Sequence, residues 1–393
     1  MRMSRRNVVE TIVAVVREPA ELARIVPEWE ELAAKALEAN PFYEHWFMLP
    51  TLEVLPSRKG FSCVLVWARD AAGSMKLGGL FPFQRHERYK GLPVAVLTSW
   101  NAPAWLLGTP LLRSDMAECC VQALLDWLKE DGRALAEFKY VPGDGGFHGI
   151  LSEALRRGQG MGLATQSFLR PVLRCAANAD RYLEVRLSSD ARKALRRKER
   201  RLGERGELAH VALRPGDDAG RWIDEFLRLE ASGWKGRAGG ALASSAEKRR
   251  AASEILMAAH RQGRMQMVGI DCGGRAIARC CNLVTGATGH AYRTAYDEQY
   301  AAFSPGVMAE IDSIRAAHAD PRLQCMDSVT DPDNEVLTRL WQDKHLIQTV
   351  MVAADAWREL WLSMLPLARW AKRRIERPAR PAAIAKADQF GSS

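Results

Sequence analysis

The four residues Ser304-Pro305-Gly306-Val307 have the types expected at a helix start that holds an anion. Serine is favoured just before the first turn of a helix, and proline suits the first helical position. Glycine lets a ligand approach the backbone closely. Because free N–H groups and the helix dipole attract negative charge at such a start, the segment predicts a phosphate-binding site. A well-capped helix without a ligand is the alternative.

A strand with polar side chains, residues 289–297, precedes this helix. Alternation along the strand predicts that four polar side chains share one face, with Arg293 on the other. The four are His290, Tyr292, Thr294 and Tyr296. Imidazole and phenol groups can act as a general base or give a proton to a leaving group, so His290, Tyr292 and Tyr296 are candidate catalytic residues. Tyrosine and threonine are also frequent in half-buried strands for packing reasons.

Two carboxylates and a glycine-rich segment extend the candidate site. Glu230 could deprotonate an amine, and Lys235, next to Trp234, could bind a phosphate or a substrate carboxylate. A glycine that ends the helix and a packed tryptophan would explain the same residues without a function. The glycine-rich residues 236–245 are typical of a mobile loop over a site. Asp327, at the end of a short strand, could orient an acceptor or cap a loop.

A basic helix is predicted over residues 189–206, with seven Lys or Arg against one Glu between residues 191 and 202. Such a helix could contact tRNA phosphates, acidic polysaccharide or anionic lipid, or it could present a solvated face. Residues 354–377 combine Trp and Leu with basic residues. This composition is typical of a helix at a membrane surface, and equally of a terminal helix docked on a core.

The same order of elements is predicted twice along the chain: helix, hairpin, strand, helix, strand, helix, strand. The first copy opens with a strand at about 8–17 and one helix from Ala20 to Asn40. We therefore predict an α/β (α+β) protein with two tandem domains, each with a mixed central sheet. The domains span residues 1–178 and 179–353, with a basic linker helix between the repeats. Residues 354–393 are predicted as a C-terminal helix and a disordered tail.

Bulk composition narrows the class of protein. The chain has 393 residues and a formal net charge of +9, which favours polyanionic or phosphorylated partners. None of its eight cysteines forms a C-x-x-C pair, so we expect buried thiols in a reducing compartment and no metal site. The N-terminal apolar run contains Glu10, which favours a strand over a signal peptide. Without a long apolar stretch, we expect a cytoplasmic protein.

The order of elements, together with several sequence stretches, resembles the GNAT acyltransferases in the duplicated form of the FemAB-like and CelD-like proteins. The stretches are NPFYEHWF at 40–47, LLGTPLL at 106–112, SSDARKALRRKERRLGERGEL at 188–208, FLRLEASGWKGRAGGAL at 226–242, AYRTAYDEQYAAFSPGVM at 291–308 and DSVTDPDNEVLTRLW at 327–341. Together they cover most of residues 10–353. Their order and spacing, rather than any single stretch, carry the resemblance.

The resemblance implies transfer of an acyl group, usually from acetyl-CoA or another acyl-CoA, to an amine or a hydroxyl. In such proteins the helix start that corresponds to Ser304, Pro305, Gly306 and Val307 receives the pyrophosphate of CoA. This chain lacks the full Q/R-x-x-G-x-G/A signature, which puts that site in doubt. The first half has no comparable helix start. The resemblance therefore implies that only the second domain binds the cofactor, while the first supports it or binds the acceptor.

Three hypotheses about function follow. The first is an acyl-CoA-dependent N- or O-acyltransferase with a small-molecule or glycan acceptor, in envelope polysaccharide or glycolipid synthesis. The second is a FemAB-type transferase that uses aminoacyl-tRNA, with the tRNA on residues 189–206. The third is a catalytically silent scaffold in an envelope-assembly complex. In each case residues 354–377 could attach the protein to the inner face of the membrane.

Overall fold

A single mixed sheet runs through the whole chain. The computed structural model describes residues 10–54, 60–91, 93–101, 106–130, 135–175, 178–355, 358–360 and 362–363. Within these residues, thirteen strands form the sheet, and helices cover both of its faces. The predicted α/β class is confirmed.

In its described residues, the first half contains seven strands and five α-helices. Its strands are β1 (Thr11–Val16), β2 (Phe61–Arg69), β3 (Met75–His86), β4 (Val96–Ser99), β5 (Leu111–Leu112), β6 (Leu135–Pro142) and β7 (Met161–Arg174). Its helices are α1 (Pro19–Ala23), α2 (Val26–Ala34), α3 (His45–Val54), α4 (Ala117–Glu130) and α5 (Gly146–Ala154). A short 3-10 helix, Pro41–Tyr43, precedes α3.

The second half repeats this order. Its helices are α6 (Ala179–Arg186), α7 (Ser189–Gly203), α8 (Ala219–Ser232), α9 (Trp234–Arg237), α10 (Ala246–Arg261), α11 (Pro305–Ala319) and α12 (Glu335–Leu340). Its strands are β8 (Leu208–Ala212), β9 (Met265–Cys272), β10 (Arg275–Thr285), β11 (Thr288–Tyr296), β12 (Cys325–Asp327) and β13 (Asp343–Ala353). A 3-10 helix, Glu298–Phe303, leads from β11 into α11.

The two halves exchange their last strands. The strand order is β1-β2-β3-β4-β6-β13-β7-β12-β11-β10-β9-β8, with β5 beside β3. Strand β7 therefore pairs with β12 of the second half, and β13 pairs with β6 of the first half. In each half one parallel pair, β4 with β6 or β11 with β12, lies next to the exchanged strands. The duplicated order predicted from sequence is present, and it is built into one continuous sheet.

The cores follow from the two faces of this sheet. On one face, helices α1–α3 of the first half pack beside α8 and α10 of the second half in one shared apolar core. On the other face, α4 and α5 cover the first half, and α11 covers strands β9, β10 and β11 of the second. Because the halves share a core and a sheet, each depends on the other for burial of its apolar surface.

Some predicted elements differ from the observed ones. The helix predicted from Ala20 to Asn40 is broken into α1 and α2, because Pro27 lies in the first turn of the second helix and cannot continue the first. Helices α3 and α6 and strand β8 were not predicted. The basic helix α7 is confirmed over Ser189–Gly203, and the Ser188 hydroxyl accepts from the Ala191 N–H at 3.2 Å.

Most of the predicted C-terminal helix and tail lies outside the described residues. The side chain of Leu362 is described, and it is fully buried beside Val96, Leu135 and Met351 of the sheet. This contact agrees with a terminal segment docked on the core. Among the helices that the structure describes, none has the length and apolar character required to cross a membrane.

Candidate functional site

Helix α11 begins as predicted, with Ser304 before its first turn and Pro305 at its first position. Ser304 has a left-handed backbone (φ 58°), and its hydroxyl makes no capping bond to the helix. The hydroxyl instead accepts a hydrogen bond from Nζ of Lys198 at 2.8 Å. A Cβ atom on Gly306 would stand 3.0 Å from the Tyr296 ring, so this glycine is needed at least for close packing. Lys198 therefore contacts the helix start, which the sequence did not predict.

Helix α7 packs beside this helix start and the 3-10 helix that precedes it. Besides Lys198, the guanidinium groups of Arg201 and Arg205 lie about 6 Å from the Phe303 ring. Four other cations of α7 are exposed, and none has an ion-pair partner among the described residues. These four, the basic stripe, are Lys193, Arg196, Arg197 and Arg200. Their spacing of three and four residues aligns them on one face of the helix.

A histidine lies between Glu199 of α7 and a carboxylate of α11. Glu199 accepts from His210 Nε2 at 3.0 Å, while His210 Nδ1 lies 2.5 Å from Asp312 of α11. The Asp312 carboxylate, aided by Glu199, raises the pKa of His210. His210 therefore links Glu199 of α7 to Asp312 of α11.

A bulge in β11 interrupts the alternation of its side chains, so the prediction that four polar side chains share one face is wrong. Cys281 pairs with Arg293 and Asn282 with Ala291, so Tyr292 is an extra residue without a partner on β10. Tyr292 packs against Phe47 of the first half. Beyond the bulge, the next polar side chains point to the opposite face, where the Thr294 hydroxyl bonds Glu310 of α11 and Tyr296 packs on the α11 start. His290 and Tyr292 thus lie on the face opposite to Thr294 and Tyr296.

Glu230 is held by two partners. One carboxylate oxygen binds the Arg293 guanidinium, and the other accepts from the Leu242 N–H at 2.8 Å. Because Glu230 is 2% exposed and fully engaged, it can fix the glycine-rich loop onto β11. Lys235 and Trp234 begin α9 directly beyond; their side chains lie outside the described part of the structure.

We expect Glu230→Ala to release this loop. The variant leaves the Leu242 N–H without its acceptor, and a lost buried hydrogen bond of this kind costs about 1–3 kcal/mol. Hydrogen exchange at the Leu242 amide should accelerate by about tenfold or more. Asp224→Ala, at an exposed position of the same helix, is the control and should leave that amide protected. Unchanged exchange in Glu230→Ala would show that the loop is held elsewhere.

His290 and Asp327 meet at the seam between the halves, where they pair across β11 and β12. Asp327 accepts from Arg170 Nη1 at 3.2 and 3.4 Å and from the Val329 N–H at 2.7 Å. Arg170 belongs to β7 of the first half, is 0% exposed, and also donates to the Leu106 and Thr330 carbonyls. The sequence did not single out this arginine, because only the exchange of β7 brings it to β12.

Burial controls the protonation of the two candidate acid–base groups on β11. Burial lowers the pKa of His290 to about 4, so its imidazole is neutral near pH 7. Burial raises the pKa of Tyr292 well above its ordinary value, so its phenol keeps its proton. A neutral imidazole can accept a proton, and a protonated phenol can donate one.

The predicted site residues thus fall into two groups. A shallow pocket between the end of α8 and β11 brings Glu230 and Tyr296 together. Its lining residues are Leu229, Glu230, Gly233, Thr294, Ala295, Tyr296 and Glu298. His290, Tyr292 and Asp327 lie farther along β11 toward the seam. Within the described residues, no cluster of His, Cys, Asp or Glu could hold a metal ion, and all eight cysteines are free.

Comparisons with known proteins agree with this architecture. Residues 189–335 match the sequence model of the family described as acetyltransferase (GNAT) domain. The crystal structure of FemX covers 86% of this chain and 98% of its own, with a TM-score of 0.54 and 11% identity. A conserved protein of unknown function from Bacteroides thetaiotaomicron covers 87% and 99%, with a TM-score of 0.52 and 9% identity. No curated protein sequence matches the chain.

Within the second half of the chain, residues 189–335 therefore have the sequence pattern of an acetyltransferase (GNAT) domain. Both structural relatives extend over the two halves, and the repeated element order makes the whole chain a duplicated GNAT fold of the FemAB-like type. The resemblance noted in the sequence is confirmed at this level.

Proposed function

We propose that the protein is an acyltransferase that takes an acyl group from acyl-CoA and transfers it to an amine or hydroxyl acceptor. The observation that carries the proposal is the start of α11 within the matched GNAT domain, where Lys198 joins Ser304. A phosphate at this start would meet the free Gly306 N–H, the helix dipole and an ammonium group. These groups fit a pyrophosphate, and the missing Q/R-x-x-G-x-G/A signature is partly offset by the cation from α7.

Strand β11 supplies a path from this start to the seam. From Tyr296 to His290 it spans about 20 Å at about 3.3 Å per residue. Strands β11 and β12 pair only over Thr288–His290 and Cys325–Asp327, beyond which no pairing joins them. A thioester arm that follows β11 would bring its acyl group toward His290, Tyr292 and Asp327.

Transfer of the acyl group requires a proton acceptor and a proton donor beside the thioester. The acceptor nitrogen or oxygen attacks the thioester carbonyl carbon, the C–S bond breaks, and the thiol takes up a proton. We assign the proton acceptor to neutral His290, which pairs with Asp327 across β11 and β12, and the proton donor to Tyr292. Glu230, engaged by Arg293 and Leu242, holds the loop that carries Lys235 and Trp234, for which we propose acceptor binding. Tyr296 would contact the bound acyl-CoA beside Gly306.

Titration with acetyl-CoA tests the donor site. We expect Lys198→Ala to weaken acetyl-CoA binding by about tenfold or more, because a hydrogen bond to a charged phosphate is worth about 1.5–3 kcal/mol. Lys193→Ala removes an outward cation from the same helix and should leave the affinity nearly unchanged. Equal weakening in both variants, or no saturable binding by the parent protein in calorimetry, would count against the proposal.

The basic stripe favours a second candidate, a transferase that uses aminoacyl-tRNA. Its four cations have no carboxylate partners among the described residues and lie beside the proposed donor site. Contacts with about four phosphates predict a binding constant that falls with salt at a log–log slope of about −3 to −4. Tight tRNA binding with this slope, without affinity for acetyl-CoA, would favour the second candidate. Neither activity, together with a copurifying partner, would favour a silent scaffold in envelope assembly.

The proposed acceptor is a small molecule or a glycan, and we place the working protein in the cytoplasm, at or near the inner face of the membrane. The net charge of +9 and the basic stripe support contact with anionic surfaces. Residues 364–377, the basic part of the C-terminal segment, lie outside the described structure.

A further inference from the structure

His210 of β8 lies between two carboxylates that belong to different helices. Its Nε2 atom is 3.0 Å from Glu199 of α7, and its Nδ1 atom is 2.5 Å from Asp312 of α11. A carboxylate only accepts hydrogen bonds, and only the imidazolium carries an N–H on both ring nitrogens. Both contacts therefore form when the ring is protonated, whereas a neutral ring leaves one nitrogen lone pair facing a carboxylate.

Helix α7 also carries the lysine of the proposed donor site. Lys198, which directly precedes Glu199, donates to the Ser304 hydroxyl at the start of α11 at 2.8 Å. Ser304 and Asp312 are separated by about 12 Å along α11, at about 1.5 Å per residue. Consecutive residues of α7 thus reach α11 at two separated points, and together these contacts restrict both the position and the direction of α7.

Apolar packing gives α7 little further support. The structure describes every residue of this helix, and Leu202 is its one buried side chain. Leu195 is partly buried against the core beside α6 and α12. A segment with few buried apolar contacts is stabilised only weakly by packing, so its polar contacts contribute much of what holds it in place.

The charged groups around His210 come from α7, α11 and α6. Besides Glu199 and Asp312, Arg315 of α11 donates to Asp312 at 3.1 Å and lies 3.4 Å from Asp180 of α6. The residue that pairs with His210 on β9 is apolar. The hydrogen bond with Asp312 is the largest cause of the raised pKa of His210; partial burial opposes it, and Glu199 adds to it. The two contacts are therefore present at low pH and are lost as the pH rises through this pKa.

We infer that His210 is a positioning residue for the donor site: its imidazolium bridges Glu199 and Asp312 and so keeps α7 where Lys198 reaches the start of α11. The inference rests on the proposed function, because it gives Lys198 the role of binding acyl-CoA. Loss of the proton breaks one of the two contacts of the ring. Helix α7 is then released from α11 at that point, and Lys198 is held less firmly beside the phosphates.

Acetyl-CoA affinity, measured by calorimetry over roughly pH 6 to 9, tests this inference. In the parent protein the affinity should fall as the pH rises, by at most the roughly tenfold loss expected for Lys198→Ala. His210→Phe keeps a ring but removes both nitrogens, so its affinity should be low at every pH. Glu254→Gln, in an exposed ion pair of α10 on the opposite face of the sheet, is the control and should keep the pH dependence of the parent protein.

Glu199→Gln separates the proton from the contact. The amide of Gln can donate to a neutral Nε2 while the Nδ1–H donates to Asp312, so the bridge no longer requires a protonated ring. The affinity of this variant for acetyl-CoA should therefore lose its pH dependence. If His210 acts through Lys198, adding His210→Phe to Lys198→Ala should weaken binding no further.

The position of α7 can be measured without acetyl-CoA. Hydrogen exchange at the α7 amides should be faster in His210→Phe than in the parent protein at low pH, by about threefold or more, as expected for one lost hydrogen bond. The exposed Glu254→Gln variant should leave this exchange unchanged.

Three results would overturn the inference. The first is equal acetyl-CoA affinity in the parent protein and His210→Phe at every pH. The second is a pH dependence that persists in Glu199→Gln, and the third is a further loss when His210→Phe is added to Lys198→Ala. If the parent protein binds no acetyl-CoA at any pH, the proposed function fails. Exchange at the α7 amides then decides whether His210 holds α7, and unchanged exchange in His210→Phe would contradict that role.

Discussion

Arg170→Ala should cost about 3–5 kcal/mol of unfolding free energy, the largest effect that we expect from a single substitution. The guanidinium is fully buried and is the cation that neutralises Asp327. Its removal leaves a buried carboxylate without a counter-charge, which is far more costly than the loss of an exposed ion pair. Urea denaturation of the full chain measures the change.

Arg174→Ala is the matched control on the same strand. Arg174 is 74% exposed and lies 3.8 Å from Asp343, so its loss should cost less than about 1 kcal/mol. In the double variant Arg170→Met with Asp327→Asn, both charges are absent, and the cost should be smaller than for Arg170→Ala. A small effect of Arg170→Ala, equal to that of the control, would show that the two halves do not depend on this ion pair.

The unfolding free energy should change with pH through the protonation of His290. The unfolded chain protonates this imidazole near pH 6.5, whereas the folded chain does so only near pH 4. Stability from this group is therefore complete above pH 6.5 and is lost as the pH falls toward 4. A difference of this size corresponds to about 3 kcal/mol.

His290→Gln removes the titrating group, so the decrease in unfolding free energy between pH 7 and pH 4 should be about 3 kcal/mol smaller than in the parent protein. The comparison concerns the slope with pH, because the substitution itself can lower stability at every pH. Equal slopes in the parent protein and His290→Gln would contradict a buried neutral imidazole.

Local patterns in the sequence predicted much of the fold. Hydrophobic periodicity and turn residues predicted most strands, the basic helix and the start of α11, because these features depend on neighbouring residues. The bulge at Tyr292 has no such local signature, since it is defined only by the register in which β11 pairs with β10. It therefore reversed the predicted faces of Thr294 and Tyr296 relative to His290.

Contacts between residues far apart in the sequence could not be predicted from local patterns. Arg170 reaches Asp327 only because β7 and β13 exchange partners, and the pairing of strands so far apart in sequence is not encoded in either strand alone. Lys198 was predicted as one cation of a basic helix, but its contact with Ser304 depends on how α7 packs. The stretches at 40–47 and 106–112 contributed to the resemblance, yet only the structure brings Asn40 and Thr109 together.

The structure of the full chain crystallised with acetyl-CoA would test the central claim most directly. The account predicts pyrophosphate density at the Gly306 N–H beside Lys198, with the thioester arm along β11 and the acyl group near His290. Density for acetyl-CoA at the first half, or an α11 start without pyrophosphate density at saturating acetyl-CoA, would contradict it.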